Sequence, residues 1–217
     1  MRQLALSFAQ QQDYAAEDFC PAPSNAAARE WLANPHAWSH GRLVLWGEAG
    51  CGKTHLLHGW AETHQALLLN GATLEGLLRP AQPVVVDDAD ILAEPQALLH
   101  LLNAAAEQAQ PVLMAARLPP ARQAIKLADL ASRLRAAQAI EIRAPEDELL
   151  ARLLTRLAAQ RQLALSIPVQ NFLLTRLPRT AAHLREALAR LDHAALRRGI
   201  RLTRQSAAEI LGDITED

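Results

Sequence analysis

The chain has 217 residues, of which 50% are hydrophobic, and its formal net charge is −1. This length allows one large domain, or one domain with a small addition, and the composition allows a sizeable core. The balanced charge excludes the strongly basic footprint of a dedicated DNA-binding domain, and no run of about 18 apolar residues is present to cross a bilayer. Two cysteines, Cys20 and Cys51, exclude a disulfide framework, so we expect a cytoplasmic protein without a membrane partner.

The first two thirds of the chain alternate β-rich apolar runs with helical patterns. Helices are predicted over residues 25–34, 53–64 and 94–110. A buried strand is predicted over residues 42–47, and further strands over residues 65–71, 83–90, 111–117 and 139–145. Strands that alternate with helices imply a parallel sheet that is covered on both faces. We therefore predict an α/β domain over residues 13–145.

After Pro145 the pattern changes to amphipathic helices, whose apolar residues lie three and four positions apart. These helices are predicted over residues 146–162, 169–177 and 180–199. A final short helix is expected after Thr203, which fits the N-cap position. The change in pattern predicts a second, all-helical domain over residues 146–217.

A glycine-rich loop lies between the first predicted strand and the helix that follows it. Residues 47–54, GEAGCGKT, fit the phosphate-loop pattern G-x-x-x-x-G-K-[ST] at every fixed position. In such a loop, glycines let backbone N–H groups converge on phosphates, Lys53 reaches the β- and γ-phosphates, and Thr54 binds Mg²⁺. The glycines are Gly47, Gly50 and Gly52. The alternative is a glycine-rich turn without a ligand, but the flanking strand and helix favour a nucleotide site.

Two carboxylates follow the apolar run of residues 84–86. Asp87 and Asp88 end this predicted strand, and the carboxyl ends of parallel strands face the crevice where ligands bind. We expect Asp87 to hold Mg²⁺ through water and Asp88 to polarise an attacking water. The alternative is an acidic N-cap of the next helix, and Asp90 is the residue that fits that role.

These features together resemble a known family. The phosphate loop, the acidic strand end and residues 129–134, DLASRL, are similar to the AAA+ module of the DnaA family of bacterial replication initiators, and closest to its short Hda members. Phe19, Ser24 and Asn25 match the family's nucleotide-flanking segment. The resemblance runs from about residue 3 to the C-terminus. It implies a P-loop AAA+ parallel sheet with helices on both faces, followed by a small helical lid.

The resemblance also implies a function. Members of this kind inactivate the initiator DnaA by stimulating hydrolysis of its bound ATP, while docked on the DNA-loaded sliding clamp, and so prevent re-initiation. Arg133 matches the family's arginine finger, which projects to the γ-phosphate held by a neighbouring subunit. The alternative for Arg133 is a surface arginine at a helix end. The initiator's DNA-reading helix-turn-helix domain is not expected here, so contact with DNA is expected to be indirect.

The N-terminal residues resemble a clamp-docking peptide. Gln3, Leu4, Leu6 and Phe8 fit the short motif by which proteins bind the sliding clamp, the β subunit of DNA polymerase III. An extended peptide of this kind places a polar anchor and apolar side chains in a preformed groove. Residues 1–12 are therefore expected to form an extended clamp-binding segment, although such residues can also pack on their own domain.

Two positions depart from the family's pattern. Ala116 and Arg117 follow the fourth strand where the family has a polar residue, and Ala182 stands where the family has a nucleotide-sensing arginine, for which Arg179 is the nearest substitute. Both changes affect recognition of the γ-phosphate. We therefore expect ADP to be bound well, ATP to be hydrolysed weakly, and Arg179 to contact nucleotide.

Two other functions remain open from the sequence. One is a helicase-loader-type AAA+ ATPase that acts on the replicative helicase or DNA, and the other is an autonomous ATPase. The first needs a helicase-binding extension, which the sequence does not show, and the second is disfavoured by the two departures. Homo-oligomerisation is compatible with each of these functions.

Overall fold

A computed structural model describes residues 19–212, apart from the side chain of Arg198. The predicted clamp-binding residues Gln3, Leu4, Leu6 and Phe8 lie outside the described residues. The chain divides between Ala144 and Pro145 into two compact units. Over residues 19–212, no helix combines the length and apolar character that a membrane span requires.

The first unit is built on one parallel sheet of five strands, in the order β2-β3-β4-β1-β5. The strands are β1 (Arg42–Trp46), β2 (Leu67–Asn70), β3 (Val84–Asp87), β4 (Val112–Ala116) and β5 (Gln138–Glu141). The predicted α/β class with a parallel sheet is thus confirmed. Because every pair is parallel, the carboxyl ends of all five strands lie along one edge of the sheet.

Helices cover both faces of this sheet. They are α1 (Ala26–Leu32), α2 (Lys53–His64), α3 (Pro95–Glu107) and α4 (Ala128–Arg135). Side chains alternate between the faces of a strand, so Val44 and Met114 pack with α3 and α4, whereas Leu43 and Leu113 pack with α1 and α2. Burial on both faces explains why the three inner strands, β1, β3 and β4, are almost continuously apolar, whereas the edge strands β2 and β5 are less buried.

The second unit consists of helices packed around a core of leucines. They are α5 (Asp147–Gln160), α6 (Ile167–Arg176), α7 (Ala181–Arg198) and α8 (Arg204–Ile210). Leu154, Leu173 and Leu188 are all at most 1% exposed. The predicted cap at Thr203 is confirmed: its hydroxyl accepts the Ser206 N–H at 3.1 Å, and Ser206 Oγ accepts the Thr203 N–H at 2.9 Å.

Candidate functional site

The carboxyl edge of the sheet gathers most of the predicted site residues. The glycine loop follows β1, Asp87 ends β3, Asn70 ends β2 and Ala116 ends β4. The pairing places Trp46 beside Ala116 and Asn70 beside Asp87. Ligands of open α/β sheets bind at this edge, so the topology assembles the residues that the sequence had indicated separately.

The loop after β1 has a backbone that requires glycine. A Cβ on Gly47 would lie 2.3 Å from the carbonyl oxygen of Ile142, and Gly52 has a φ of +106°. Gly52 is also the N-cap of α2 and supplies no capping side chain. Gly52 therefore gives the start of α2 no side-chain cap, and a helix N-terminus without such a cap is a usual place for an anion site.

Lys53 lies across this loop and is 9% exposed. Its Nζ donates to the carbonyl oxygens of Gly47 at 2.7 Å and Glu48 at 2.8 Å, and it lies 3.7 Å from Cys51 Sγ. The ammonium group is thus held at the loop by backbone carbonyls. Phosphate oxygens that enter the loop would compete with these carbonyls for the same protons.

Thr54 and Asp87 are joined directly. Thr54 Oγ1 donates to Asp87 Oδ2 at 2.8 Å, and Asp87 Oδ1 accepts the Asp88 N–H at 3.0 Å. A hydroxyl and a carboxylate are the hard oxygen ligands that Mg²⁺ takes together with phosphate oxygens and water. Within residues 19–212, no group of three or more His, Cys, Asp or Glu residues forms a metal cage. The pair therefore fits Mg²⁺, which needs few protein ligands when phosphate is present.

Asp88 has a backbone φ of +50°, which is uncommon for a residue other than glycine. Asn70 Nδ2 donates to Asp88 Oδ2 at 3.3 Å, and Asn70 Oδ1 accepts the Ala72 N–H at 2.9 Å. Asn70 thus orients the carboxylate that was predicted to polarise water. Sequence reasoning missed Asn70, although a polar residue at the end of an apolar run was a usable signal.

The capping role considered for Asp90 is wrong. The N-cap of α3 is Glu94, and Asp90 Oδ2 instead accepts the Arg117 N–H at 2.9 Å. Asp90 therefore ties the segment after β3 to the end of β4. Local sequence patterns could not have indicated this contact, because Asp90 and Arg117 lie 27 positions apart in the chain.

The end of β4 offers no polar side chain to the site. Ala116 is 2% exposed, and its carbonyl oxygen accepts the Gly47 N–H at 3.3 Å. The carbonyl oxygen of Ala115 accepts the Ala89 N–H at 2.7 Å. Both contacts are made by backbone atoms. The side of the site next to the loop is consequently an alanine wall.

The segment before α1 is fixed beside the start of α2. The Phe19 ring lies 5.5 Å from the ring of His55, which follows Thr54. Asn25 is 3% exposed, accepts the Ala22 N–H at 3.1 Å and donates to the Cys20 carbonyl oxygen at 3.1 Å. This arrangement holds the predicted nucleotide-flanking segment near the start of α2.

Arg133 lies at the opposite edge of the sheet. It belongs to the last turn of α4 and lines a hollow of about 680 Å³, together with Arg42, the first residue of β1. A strand rises about 3.3 Å per residue, so the loop after β1 begins roughly 15 Å from Arg42. We name this hollow the arginine pocket. Its lining includes His36, Trp38, His40, Arg42, Ser132 and Arg133.

Arg179 belongs to the helical unit. It donates to the Pro145 carbonyl oxygen at 3.2 Å and forms an ion pair with Asp147 Oδ1 at 2.6 Å, so it is tied to the start of α5. Ala182 lies in the first turn of α7 and is exposed. The nucleotide contact expected of Arg179 stays a prediction.

The helical unit matches a known family. Residues 147–204 match the family model described as "Hda, lid domain". No curated protein matches this chain. The match extends from the first residue of α5 to the first residue of α8, which is most of the second unit.

Solved structures share the fold over most of the chain. Domain III of the Thermotoga maritima replication initiation protein DnaA is 19% identical, with a TM-score of 0.82, and the match covers 95% of this chain and 99% of that one. AMPPCP-bound DnaA from Aquifex aeolicus is 17% identical, with a TM-score of 0.70 over 95% of this chain and 73% of that one. A Thermotoga maritima RuvB variant is 18% identical, with a TM-score of 0.70 over 94% and 73%. The chain thus has the AAA+ fold, with an Hda-type lid.

Proposed function

We propose that this chain, with the fold of DnaA domain III and an Hda-type lid, inactivates the initiator DnaA by completing the site that hydrolyses the initiator's ATP. The reaction would take place on the DNA-loaded sliding clamp and would prevent re-initiation. The observation that carries the proposal is the position of Arg133. It lies at the sheet edge opposite the chain's own phosphate loop.

An arginine in that position is suited to act on another chain's nucleotide. Arg133 is partly exposed, and no residue of the described part of the chain forms a hydrogen bond or ion pair with it. Its guanidinium is therefore available to phosphate oxygens of a partner. Arginine fingers supplied in this way accelerate hydrolysis on the order of 10³–10⁵-fold.

The chain's own nucleotide would be held at the carboxyl edge. Lys53 and the N-terminus of α2 would bind the phosphates, and Thr54 and Asp87 would hold Mg²⁺. The ion supplies charge neutralisation at the phosphates. The solved structure of DnaA from Aquifex aeolicus is bound to AMPPCP, which supports an adenine nucleotide here.

We propose ADP as the resident nucleotide, with weak hydrolysis of ATP. Asp88 is the residue that would polarise water, but its carboxylate is engaged by Asn70. The alanine wall at Ala116 supplies no polar group to orient the γ-phosphate. The nucleotide would then serve mainly to hold the fold in the form that presents Arg133.

Docking on the clamp is proposed from the sequence of residues 3–8, because Gln3, Leu4, Leu6 and Phe8 lie outside the described residues. Clamp binding would bring the regulator close to initiators on nearby DNA. It would raise the effective concentration of the regulator near the initiator without adding a contact between the two proteins.

The proposal is tested by hydrolysis of initiator-bound ATP in the presence of clamp loaded on DNA. The wild-type chain should accelerate hydrolysis, and Arg133→Ala should abolish the acceleration while it still binds the clamp. Arg135→Ala is the matched control, since Arg135 is an exposed arginine of the same helical turn and does not line the arginine pocket. Full acceleration by Arg133→Ala would refute the proposal.

The clamp contact is tested separately by pull-down with the β subunit. A double substitution, Gln3→Ala with Leu4→Ala, should lose clamp binding while nucleotide binding is retained. A double variant that is captured as well as the wild type would remove residues 3–8 from the mechanism.

A further inference from the structure

The arginine pocket holds a charge that its surroundings do not balance. Arg42 is 5% exposed, and its Nη2 donates to the Leu102 carbonyl oxygen at 3.3 Å. A guanidinium has five N–H donors, and buried charges in proteins are normally paired. Among residues 19–212, no carboxylate forms an ion pair with Arg42. The guanidinium therefore keeps donors that can bind an anion from outside.

The second arginine of the pocket adds to the same imbalance. Arg133 lines the hollow, and none of the described residues that line it is acidic. Burial, and then the positive charge of Arg133, lower the pKa of Arg42. Two like charges beside one hollow repel each other, and an anion between them would remove that repulsion.

The rim of the pocket carries further groups that suit an anion. His36 and His40 are exposed, and the Ser132 hydroxyl lies beside Arg133 in the chain. His40 has a φ of +54°, so its backbone is in a sparsely populated conformation next to Gly41, which has a φ of +67°. Such strain persists where the surrounding structure imposes it, and it is enriched at binding sites.

The size of the pocket fits a small ligand group rather than a single ion. Its volume of about 680 Å³ lies within the range of ordinary ligand pockets. Two guanidinium groups present more donors than one carboxylate can accept. A phosphate chain, with several oxygens and more than one negative charge, uses both forks together.

We infer that the arginine pocket is a phosphate-binding site in which Arg42 acts as a second cation beside Arg133, and that it receives the terminal phosphates of a nucleotide held by another subunit. The phosphate chemistry follows from the pocket alone. The source of the phosphate, the ATP of the initiator, rests on the proposed function. Arg42 would thus bind the same phosphates that Arg133 stabilises.

The first experiment measures phosphate binding by the isolated chain. The Lys53→Ala substitution is introduced first, to weaken phosphate binding at the chain's own phosphate loop. Pyrophosphate is then added at constant ionic strength while the melting temperature is recorded. Pyrophosphate should raise the melting temperature progressively with its concentration, because stabilisation grows with the logarithm of 1 + [L]/Kd. Arg42→Met and Arg133→Ala should each weaken pyrophosphate binding by roughly tenfold or more, because hydrogen bonds to charged groups are lost.

Arg135→Ala is the matched control in the same background, and it should bind pyrophosphate as the parent does. Equal pyrophosphate binding by the Arg42→Met, Arg133→Ala and Arg135→Ala variants would overturn the assignment. Tighter binding of a glutamate-rich peptide than of pyrophosphate would also overturn it, and would point to a protein carboxylate as the ligand.

Stability separates a ligand-binding role from a structural one. Methionine has a similar length, so Arg42→Met replaces a buried, unbalanced charge by an apolar chain. Without pyrophosphate, this variant should melt at or above the temperature of the parent. A clear fall in its melting temperature would instead assign Arg42 a structural role through its bond to Leu102.

The second experiment identifies the source of the phosphate. In the initiator assay with clamp and DNA, Arg42→Met should reduce the acceleration of hydrolysis about tenfold while clamp binding is unchanged. Acceleration equal to the wild type, with pyrophosphate binding lost, would refute the initiator's nucleotide as the source. If the wild type itself gives no acceleration, the proposed function fails, and the pyrophosphate measurement still decides the pocket.

Discussion

At the residue scale, the hydrogen bond between Thr54 and Asp87 connects α2 to the end of β3. This bond is 2.8 Å long and joins the two side chains that would hold Mg²⁺. The pairing of these residues follows from the sheet, because they lie 33 positions apart. The sequence supplied the two residue types, and the parallel topology brought them together.

This pair leads to the first prediction. Thr54→Val removes the hydroxyl and should lower ADP affinity in Mg²⁺ by roughly tenfold, since an oxygen ligand and a hydrogen bond are both lost. In EDTA the loss should be much smaller. Thr54→Ser keeps the hydroxyl and serves as the control. Calorimetric titration in the two buffers measures the effect, and an equal loss in both would contradict the metal role.

Asn70 gives a second prediction at this scale. Asn70→Ala removes the donor to Asp88 and should raise the weak ATP hydrolysis proposed for the chain, by about fivefold if one hydrogen bond of about 1 kcal/mol restrains the carboxylate. Thr73→Ala is the control, because among the described residues Thr73 Oγ1 hydrogen-bonds to the Asn70 carbonyl oxygen alone, at 3.3 Å. Phosphate release under single-turnover conditions gives the rate. A slower Asn70→Ala variant would show that Asn70 assists Asp88 instead.

Gly47 gives the third prediction. Gly47→Ala places a Cβ about 2.3 Å from the Ile142 carbonyl oxygen, so β1 or β5 must move at its end. We expect a loss of about 1–3 kcal/mol of unfolding free energy together with loss of nucleotide binding. In Gly212→Ala, the new Cβ would lie at an ordinary 3.6 Å from the Ala208 carbonyl oxygen, so this variant should be nearly neutral. Urea denaturation compares the two variants, and equal stability would contradict the clash.

At the element scale, the strands and the longer helices were predictable because their apolar periodicity is sustained. Helix α2 begins at Lys53 and ends at His64, where the spacing predicted it. Helix α4 was not predicted from periodicity, and residues 129–134 were identified only by their resemblance to the family. It has eight residues, and only Leu130 and Leu134 are buried, so its periodicity is carried by a single pair.

The capping box of α8 supports the fourth prediction. Thr203→Ala removes the acceptor of the Ser206 N–H and should destabilise this helix by about 1 kcal/mol. Hydrogen exchange in residues 204–210 should become faster, because α8 would open more often. Thr155→Ala is the control, since the Thr155 hydroxyl donates to the Ala151 carbonyl oxygen of its own helix, α5, at 3.0 Å. Unchanged exchange in α8 would show that packing of Ala207 and Leu211 alone fixes the helix.

At the scale of the whole molecule, the sequence predicted the fold class and the phosphate loop but not the arginine pocket. Arg42 looks like the first residue of a strand, and nothing in its neighbours indicates that it is buried. Its relation to Arg133 depends on how α4 packs at the start of β1. Contacts between distant segments are set by packing, so single-sequence patterns do not contain them.

The same limit applies to Asn70 and Asp90. The Asn70 side chain hydrogen-bonds to a residue 18 positions away, and the Asp90 side chain to one 27 positions away. Local patterns assign such residues to the end of the nearest element, which is how Asp90 was taken for a helix cap. The sheet order decides which loops become neighbours, and that order is a property of the complete fold.

The phosphate loop and the arginine pocket lie at opposite edges of one sheet, and this gives the molecule a direction. Contacts that join the pocket of one chain to the loop of the next are heterologous and do not close after two members. On the proposed function, an assembly of this kind would have unlike ends: one would expose a bound nucleotide without a partner's arginine, and the other would expose Arg133 without a partner's nucleotide. A further chain that joins one end would therefore affect the one nucleotide site that it contacts and would leave the other sites of the assembly unchanged.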